Sequence, residues 1–256
     1  MSILLDRSEM RHPLRLRVAR RPTCFSLAFV RYSQAMKFWV LDPPMMIGEW
    51  AFADVIDPVY GGAPKCPSCG RFLGMLEWLP PYRIRLVKGT KSYIPGDLID
   101  GPGAELMASQ RFIAQFERAK LKGVERWEPV TIEGYNNYWE KKLKRPAPAE
   151  PYMVAIFPPP TVRAKWEKMH PVADGDMEWT GCEVCGRSPR NFDSWKGVVV
   201  DEDSWTGADI FQLTSLGSRF IVTEAFANFV AEGNFRGVPL VPAAQDKPFR
   251  APPATW

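Results

Sequence analysis

Histidine is scarce in this sequence, which has two in 256 residues, His12 and His170. The sequence also contains no GxSxG motif, no phosphate-binding glycine loop and no GxGxxG motif. These absences argue against a histidine-activated nucleophile and against the common nucleotide-binding folds. We interpret His170, which precedes Pro171, as a packing or surface residue. We therefore expect no catalytic residues, and a protein that is not an enzyme.

Long apolar runs are absent as well. No run approaches the ~18 residues that span a membrane, so we expect no membrane association and a cytoplasmic protein. Proline is abundant instead, with 25 residues, about twice the usual ~5%. Because proline ends helices and interior strands, we predict a loop-rich fold without long helices.

The positive charge is concentrated at the start of the chain. Residues 1–35 contain seven arginines against Asp6 and Glu9, a net charge of +5, whereas the whole chain carries +4. The remaining residues therefore carry −1. This near-neutral body lacks the basic surface of a nucleic-acid-binding protein, so we expect no nucleic-acid partner.

Residues 1–35 allow three interpretations. They are an export signal, a basic arm with its own partner, or an unfolded leader that precedes the true start at Met36. The charge pattern changes at Met36, and Lys37–Leu41 has the pattern of a first β-strand. We therefore favour an unfolded or mis-assigned leader, although the sequence leaves the start codon at Met1 or Met36 open.

Cysteine occurs five times, and four of the five form two CxxCG motifs. The motifs span residues 66–70 and 182–186, with cysteines at Cys66, Cys69, Cys182 and Cys185. In each motif two thiolates of one tight turn can reach a single metal ion, and the glycine permits the left-handed backbone that the turn requires. Four thiolates suit one tetrahedral Zn²⁺ with a structural role.

The wide spacing of the two motifs leaves alternatives open. A compact zinc ribbon separates its cysteine pairs by ~15–20 residues, whereas here 112 residues lie between Cys69 and Cys182. Either a domain is inserted between the motifs, or each motif belongs to one of two related halves. Oxidation of the cysteines to disulfides, redox chemistry, and absence of metal are the competing interpretations.

A second sequence match occurs at almost the same offset as the cysteines. Residues 109–124 and 223–238 both read as an N-cap, an amphipathic helix with phenylalanines, and a basic residue followed by Gly-Val. Ser109 and Thr223 are suitable N-caps. Gly123 and Gly237 suit positions just after a helix end.

These patterns predict a mixed, β-rich α+β fold of two related halves, each with a CxxCG knuckle and a strand-helix-strand unit. We place the first half at 36–145, the second at 146–245 and a frayed tail at 246–256, with both halves in one composite domain that shares a zinc site. Proline-rich segments at 145–151 and 158–160 form stiff connections. Further strands are predicted at the following ranges: 82–87, 152–157, 197–200 and 219–222.

The two distant CxxCG motifs, the opening Met36-Lys37-Phe38 and the ending 220–238 resemble the double-CxxCG motif proteins of myxobacteria. Members of that family are regarded as immunity proteins of polymorphic toxin systems. The resemblance implies zinc bound by Cys66, Cys69, Cys182 and Cys185, and a cognate toxin domain as the protein partner. The alternative is a zinc-ribbon nucleic-acid-binding or transcription accessory protein, for which the support is Arg71, Arg187 and Arg190.

The sequence leaves the partner-binding residues unknown. Six aromatic residues lie among polar neighbours and are candidates for exposed anchors, although we favour packing in the core or at the domain join for each of them: Trp127, Tyr135, Tyr138, Trp139, Trp195 and Trp205. The acidic run 201–203 is either a contact for a basic toxin or a solvated loop.

Overall fold

The computed structural model describes residues 36–41, 49–89, 92–101, 105–136, 150–165, 168–169, 182–186, 197–214 and 216–246. The predictions for the leader at 1–35, for His170 and for residues 247–256 of the tail lie outside these ranges. Residues from Met36 onward form one unit.

Short strands dominate the described residues. In chain order they are β1 Phe38–Leu41, β2 Phe52–Val55, β3 Val59–Tyr60, β4 Trp78–Leu79, β5 Arg83–Val87, β6 Leu98–Asp100, β7 Leu106–Ser109, β8 Arg126–Tyr135, β9 Tyr152–Ile156, β10 Ile210–Leu213, β11 Leu216–Thr223 and β12 Leu240–Pro242. The described residues also contain the helices α1 Gln110–Arg118 and α2 Glu224–Gly233. The predicted β-rich α+β class is confirmed, and within the described ranges both α-helices are short.

The helix starts follow the predicted caps. The Ser109 hydroxyl accepts a hydrogen bond from the N–H of Phe112, and the Thr223 hydroxyl accepts one from Phe226. These bonds satisfy an N–H group that the first helical turn leaves without a partner. The predicted glycine ends are less accurate, because the left-handed residue that ends α2 is Asn234, and Gly237 lies further along.

One predicted strand is wrong. Residues 197–200 do not form a strand, and only Val200 makes an isolated bridge, to Ala164. Gly197 has a positive φ of 80°, and the N–H of Val198 donates to the carbonyl of Ala243. The segment therefore follows an irregular path although its composition favours a strand.

Two sheets share one strand arrangement. The four-stranded sheet has the order β10-β11-β1-β12, and the larger sheet, β2-β5-β8-β9-β7-β6, contains the matching series β6-β7-β9-β8. In both series all neighbouring strands are antiparallel. Phe38 pairs with the cap residue Thr223, and Tyr152 pairs with the cap residue Ser109.

The third strands of the two series, β1 and β9, are exchanged between the two predicted halves of the chain. Strand β1 lies between β11 and β12, which come late in the chain, whereas β9 lies between β7 and β8, which precede it. Each sheet therefore takes strands from both sides of residue 145.

The two helices pack against each other in the central hydrophobic core. Phe112 of α1 lies 6.2 Å from Phe226 and 5.3 Å from Phe229 of α2, measured between ring centroids. Phe112 and Phe226 are both fully buried. Burial of such large side chains contributes about 1.5–3 kcal/mol each to the free energy of unfolding. Because α1 follows a strand of the larger sheet and α2 follows a strand of the four-stranded sheet, this contact joins the two sheets.

Candidate metal centre

The first CxxCG motif forms a tight turn in a small hairpin. The N–H of Cys66 donates to the carbonyl of Arg71, and the N–H of Gly70 donates to the carbonyl of Cys66 at 2.9 Å. Gly70 has a φ of 71°, a conformation that costs residues with a Cβ about 1–2 kcal/mol. The predicted role of the motif glycine is therefore observed.

The second motif repeats this turn. The N–H of Gly186 donates to the carbonyl of Cys182 at 2.7 Å, and Gly186 has a φ of 70°. A buried threonine adds a further contact, because the Thr214 hydroxyl donates to the carbonyl of Cys185 at 2.9 Å. Thr214 lies between β10 and β11, so this bond fixes the second motif to the four-stranded sheet.

The structure brings the four cysteines together. Their Sγ atoms all lie within 4.8 Å of one another. The distance from Cys66 to Cys182 is 3.8 Å, and that from Cys69 to Cys185 is 3.7 Å. Both distances are far longer than a disulfide bond of about 2.05 Å, and none of these four cysteines forms a disulfide.

The cluster fits a metal ion. Four sulfur atoms at about 2.3 Å from a tetrahedral ion are separated by about 3.8 Å, which agrees with the two Sγ–Sγ distances above. Cys66 and Cys185 are buried, whereas Cys69 is exposed. Four thiolates complete a tetrahedral shell and leave no coordination position for a substrate.

The turns also favour the thiolate form of the first cysteine in each pair. For Cys182, hydrogen bonds from the N–H groups of Cys185 and Val184 lower the pKa to about 6. For Cys66, the N–H of Cys69 is the main cause of a lowered pKa, against the opposing effect of burial. Since the thiolate is the metal-binding form, these amides prepare the site for a cation.

The structure describes three of the six aromatic residues that were candidates for exposed anchors, and none of the three is exposed. Tyr135 is buried, and Trp127 and Trp205 are half-buried. Trp127 packs against Phe116 at 5.9 Å, and the indole N–H of Trp205 donates to the carbonyl of Ala208. These three are packing residues, and the other aromatic candidates lie outside the described residues: Tyr138, Trp139 and Trp195.

The acidic run is divided in the same way. Asp201 is buried and forms ion pairs with Arg163 at 2.7 Å and with Lys165 at 3.3 Å. Glu202 and Asp203 are exposed. Asp201 is therefore committed to internal contacts, whereas its two neighbours face solvent.

Thr214 and the buried Asp97 were not identified from the sequence. Asp97 is fully buried and forms an ion pair with Arg111 at 2.8 Å. Burial alone raises the pKa of Asp97, but hydrogen bonds from Arg111, the N–H of Arg236 and Ser109 outweigh it and lower the pKa. No local motif marks either residue, because their partners are distant in sequence.

In the part of the chain that the structure describes, no helix is long and apolar enough to cross a membrane. No protein-family model matches the chain, and no curated protein matches it.

Proposed function

We propose that this protein is an immunity protein, which binds a cognate toxin domain and neutralises it without catalysing a reaction. One observation carries the proposal: two CxxCG motifs 116 positions apart converge into one cluster of four thiols. This is the arrangement that the resemblance to the double-CxxCG proteins implies. In this proposal the cluster stabilises the fold, and the surface of the fold does the binding.

The metal in this proposal is one Zn²⁺ per chain, bound by Cys66, Cys69, Cys182 and Cys185. An all-cysteine tetrahedral shell is typical of structural zinc, and zinc does not undergo redox chemistry. The absence of disulfides among these four cysteines suits a reducing compartment, which supports a cytoplasmic location.

Two of the buried carboxylates, Asp97 and Asp201, lack the environment of a general acid. A general acid at neutral pH needs a raised pKa, whereas the pKa values of Asp97 and Asp201 are lowered. For Asp201, hydrogen bonds from Lys165 and Arg163 outweigh the effect of burial. Both carboxylates are permanent anions that hold cations and backbone amides in place.

The test is co-expression with a toxin-like domain encoded beside the gene for this protein, which the proposal expects to exist. We expect the wild-type chain to rescue growth and to co-purify with the toxin, with about one zinc per chain by elemental analysis. Cys66→Ser should lose both the zinc and the rescue, because three thiolates leave the shell incomplete. Cys24→Ser is the matched control, since Cys24 lies outside both motifs, and it should retain both.

Two results would overturn the proposal. Equal killing with and without the wild-type chain would exclude immunity. Stable, folded wild-type protein that purifies without metal would exclude the zinc site. If the chain does not bind the toxin but binds DNA or RNA in a salt-dependent manner, the zinc-ribbon nucleic-acid alternative is favoured.

A further inference from the structure

Exposed hydrophobic side chains are concentrated beside the metal centre. We call residues 59–79 the knuckle arm; it begins with β3, ends with β4 and carries the first CxxCG motif between them. Of the eight large hydrophobic side chains that are exposed within the described ranges, five lie on this arm: Val59, Tyr60, Phe72, Met75 and Leu76. Clusters of this kind mark interaction surfaces.

A cavity of about 340 Å³ lies beside the arm. Met75, Leu76 and Trp78 contribute one part of its lining, and Phe157 with the prolines at 158–160 contributes another. Cavities of about 300 Å³ and above are large enough to hold ligands. This one suits one or two side chains of a partner.

The charged residues of the cavity are mainly acidic. Its lining includes Glu77, Glu105 and Glu125 against one cation, Arg126. The guanidinium of Arg126 is already paired with Glu125 at 3.1 Å, and it also pairs with Glu128. The lining therefore retains negative charge that a cation from a partner can neutralise.

Two of these carboxylates differ in environment. Glu105 is buried and accepts a hydrogen bond from the Tyr60 hydroxyl at 3.3 Å. Glu77 is exposed, and among the described residues its carboxylate has no ion pair or hydrogen bond. Glu77 is therefore the carboxylate best placed to pair with an incoming cation.

Trp78 provides a second, independent indication of a ligand. Its side chain is 4% exposed, and its indole N–H is the one buried side-chain donor in the described part of the chain that lacks an acceptor. An unpaired buried donor costs about 1–3 kcal/mol. The N–H itself has almost no exposed surface, so the Trp78 side chain must shift for a carbonyl oxygen of a bound peptide segment to supply the missing acceptor.

We propose that the knuckle arm and its cavity bind the toxin, by taking a lysine or arginine side chain from an extended segment of the toxin surface. The aliphatic stem of that side chain lies against Met75 and Leu76, and its charge pairs with Glu77. A main-chain carbonyl of the same segment accepts from Trp78. This inference rests on the proposed immunity function and identifies the surface that performs it.

The experiment uses calorimetry to measure the dissociation constant for the purified toxin-like domain of the co-expression test above. Leu76→Ser and Glu77→Lys should each weaken binding by about 10- to 100-fold, as expected for central contacts. Ile94→Ser is the matched control for Leu76, because Ile94 is 49% exposed against 48% for Leu76 and lies off the arm. Glu117→Lys, on the exposed face of α1, is the control for Glu77. Both controls should stay within about threefold of wild type.

Each outcome decides a different question. If wild type binds the toxin and both arm variants bind equally well, the location is wrong and the immunity function stands. If wild type does not bind, both proposals fall. Hydrogen exchange on the wild-type complex gives an answer without any variant. Protection should appear at residues 59–79 and 154–157, and protection confined to other segments would overturn the inference.

Discussion

Asp97 and Asp209 make the same contacts at corresponding positions of the two sheets. Asp97 accepts a hydrogen bond from the Ser109 hydroxyl that caps α1, and Asp209 accepts one from the Thr223 hydroxyl that caps α2, both at 2.8 Å. The second oxygen of each carboxylate accepts a hydrogen bond from a backbone N–H in the turn that follows the other helix. For Asp97 the donor is the N–H of Arg236, and for Asp209 it is the N–H of Lys122.

These paired contacts connect each helix start to the end of the other helix. The exchanged strands β1 and β9 join the sheets in the same reciprocal manner, and the two CxxCG motifs meet in one cluster of four cysteines. Three separate features therefore make each sequence repeat dependent on the other. We expect cooperative unfolding of the region from Met36 onward.

The two aspartates should differ in their contribution to stability. In Asp97→Asn, the NH₂ group of the new amide must point at a group that donates a hydrogen bond in the wild type: Arg111, Arg236 or Ser109. We therefore expect the free energy of unfolding to fall by about 2–3 kcal/mol. Asp209→Asn should lower the free energy of unfolding by about 1 kcal/mol, because Asp209 is half-buried and its partners in the described residues are Thr223 and Lys122 rather than an arginine. Urea unfolding measures both, with exposed Asp203→Asn as the control. Equal losses for all three would refute the role of Asp97.

The lowered pKa of Asp97 predicts how stability changes with pH. A carboxyl whose pKa is lower in the folded than in the unfolded state stabilises the fold above the unfolded value of about 3.9, and this contribution is lost as pH falls through the folded pKa. The difference in unfolding free energy between wild type and Asp97→Asn should therefore shrink as pH falls from 5 toward 2.5. Because both proteins have the same cysteines, metal loss cancels in the comparison. A constant difference would contradict the assignment.

Gly123 should tolerate no side chain. It has a φ of 128°, and a Cβ at this position would collide with the carbonyl oxygen of Ile210 in β10. We expect Gly123→Ala to cost about 3 kcal/mol or more, since both the backbone and the strand must move. Gly207→Ala is the matched control: its φ is 83°, but no atom lies within 4 Å of the added Cβ. That variant should lose about 1–2 kcal/mol, from backbone strain alone. Similar losses for both variants in urea unfolding would show that the contact with Ile210 is unimportant.

The local parts of this fold could be predicted from the sequence. Ser109 and Thr223 mark helix starts because a cap bond joins residues three positions apart. The CxxCG turns were predictable for the same reason, and their four cysteines predicted that they meet, because four thiolates suit one tetrahedral metal ion. The exchange of β1 and β9 was not predictable, because the alternation of side chains in a strand does not identify its neighbour. Thr214 and Asp97 could not be identified from the sequence, because the residues that they contact are brought near them only by the tertiary structure.

Thr214 should control metal affinity without being a ligand. Its hydroxyl donates to the carbonyl of Cys185, and the residue is 4% exposed. Thr214→Val keeps the shape of the side chain but leaves that carbonyl without its donor, so the second CxxCG turn loses its attachment to the sheet. Contacts of this kind typically contribute 10- to 100-fold in metal affinity. We expect the zinc dissociation constant to rise about tenfold, measured by competition with a chromophoric chelator. Exposed Thr206→Val is the control and should bind zinc as wild type does. If Thr214→Val bound zinc as tightly as the control, the hydroxyl would have no part in positioning Cys185.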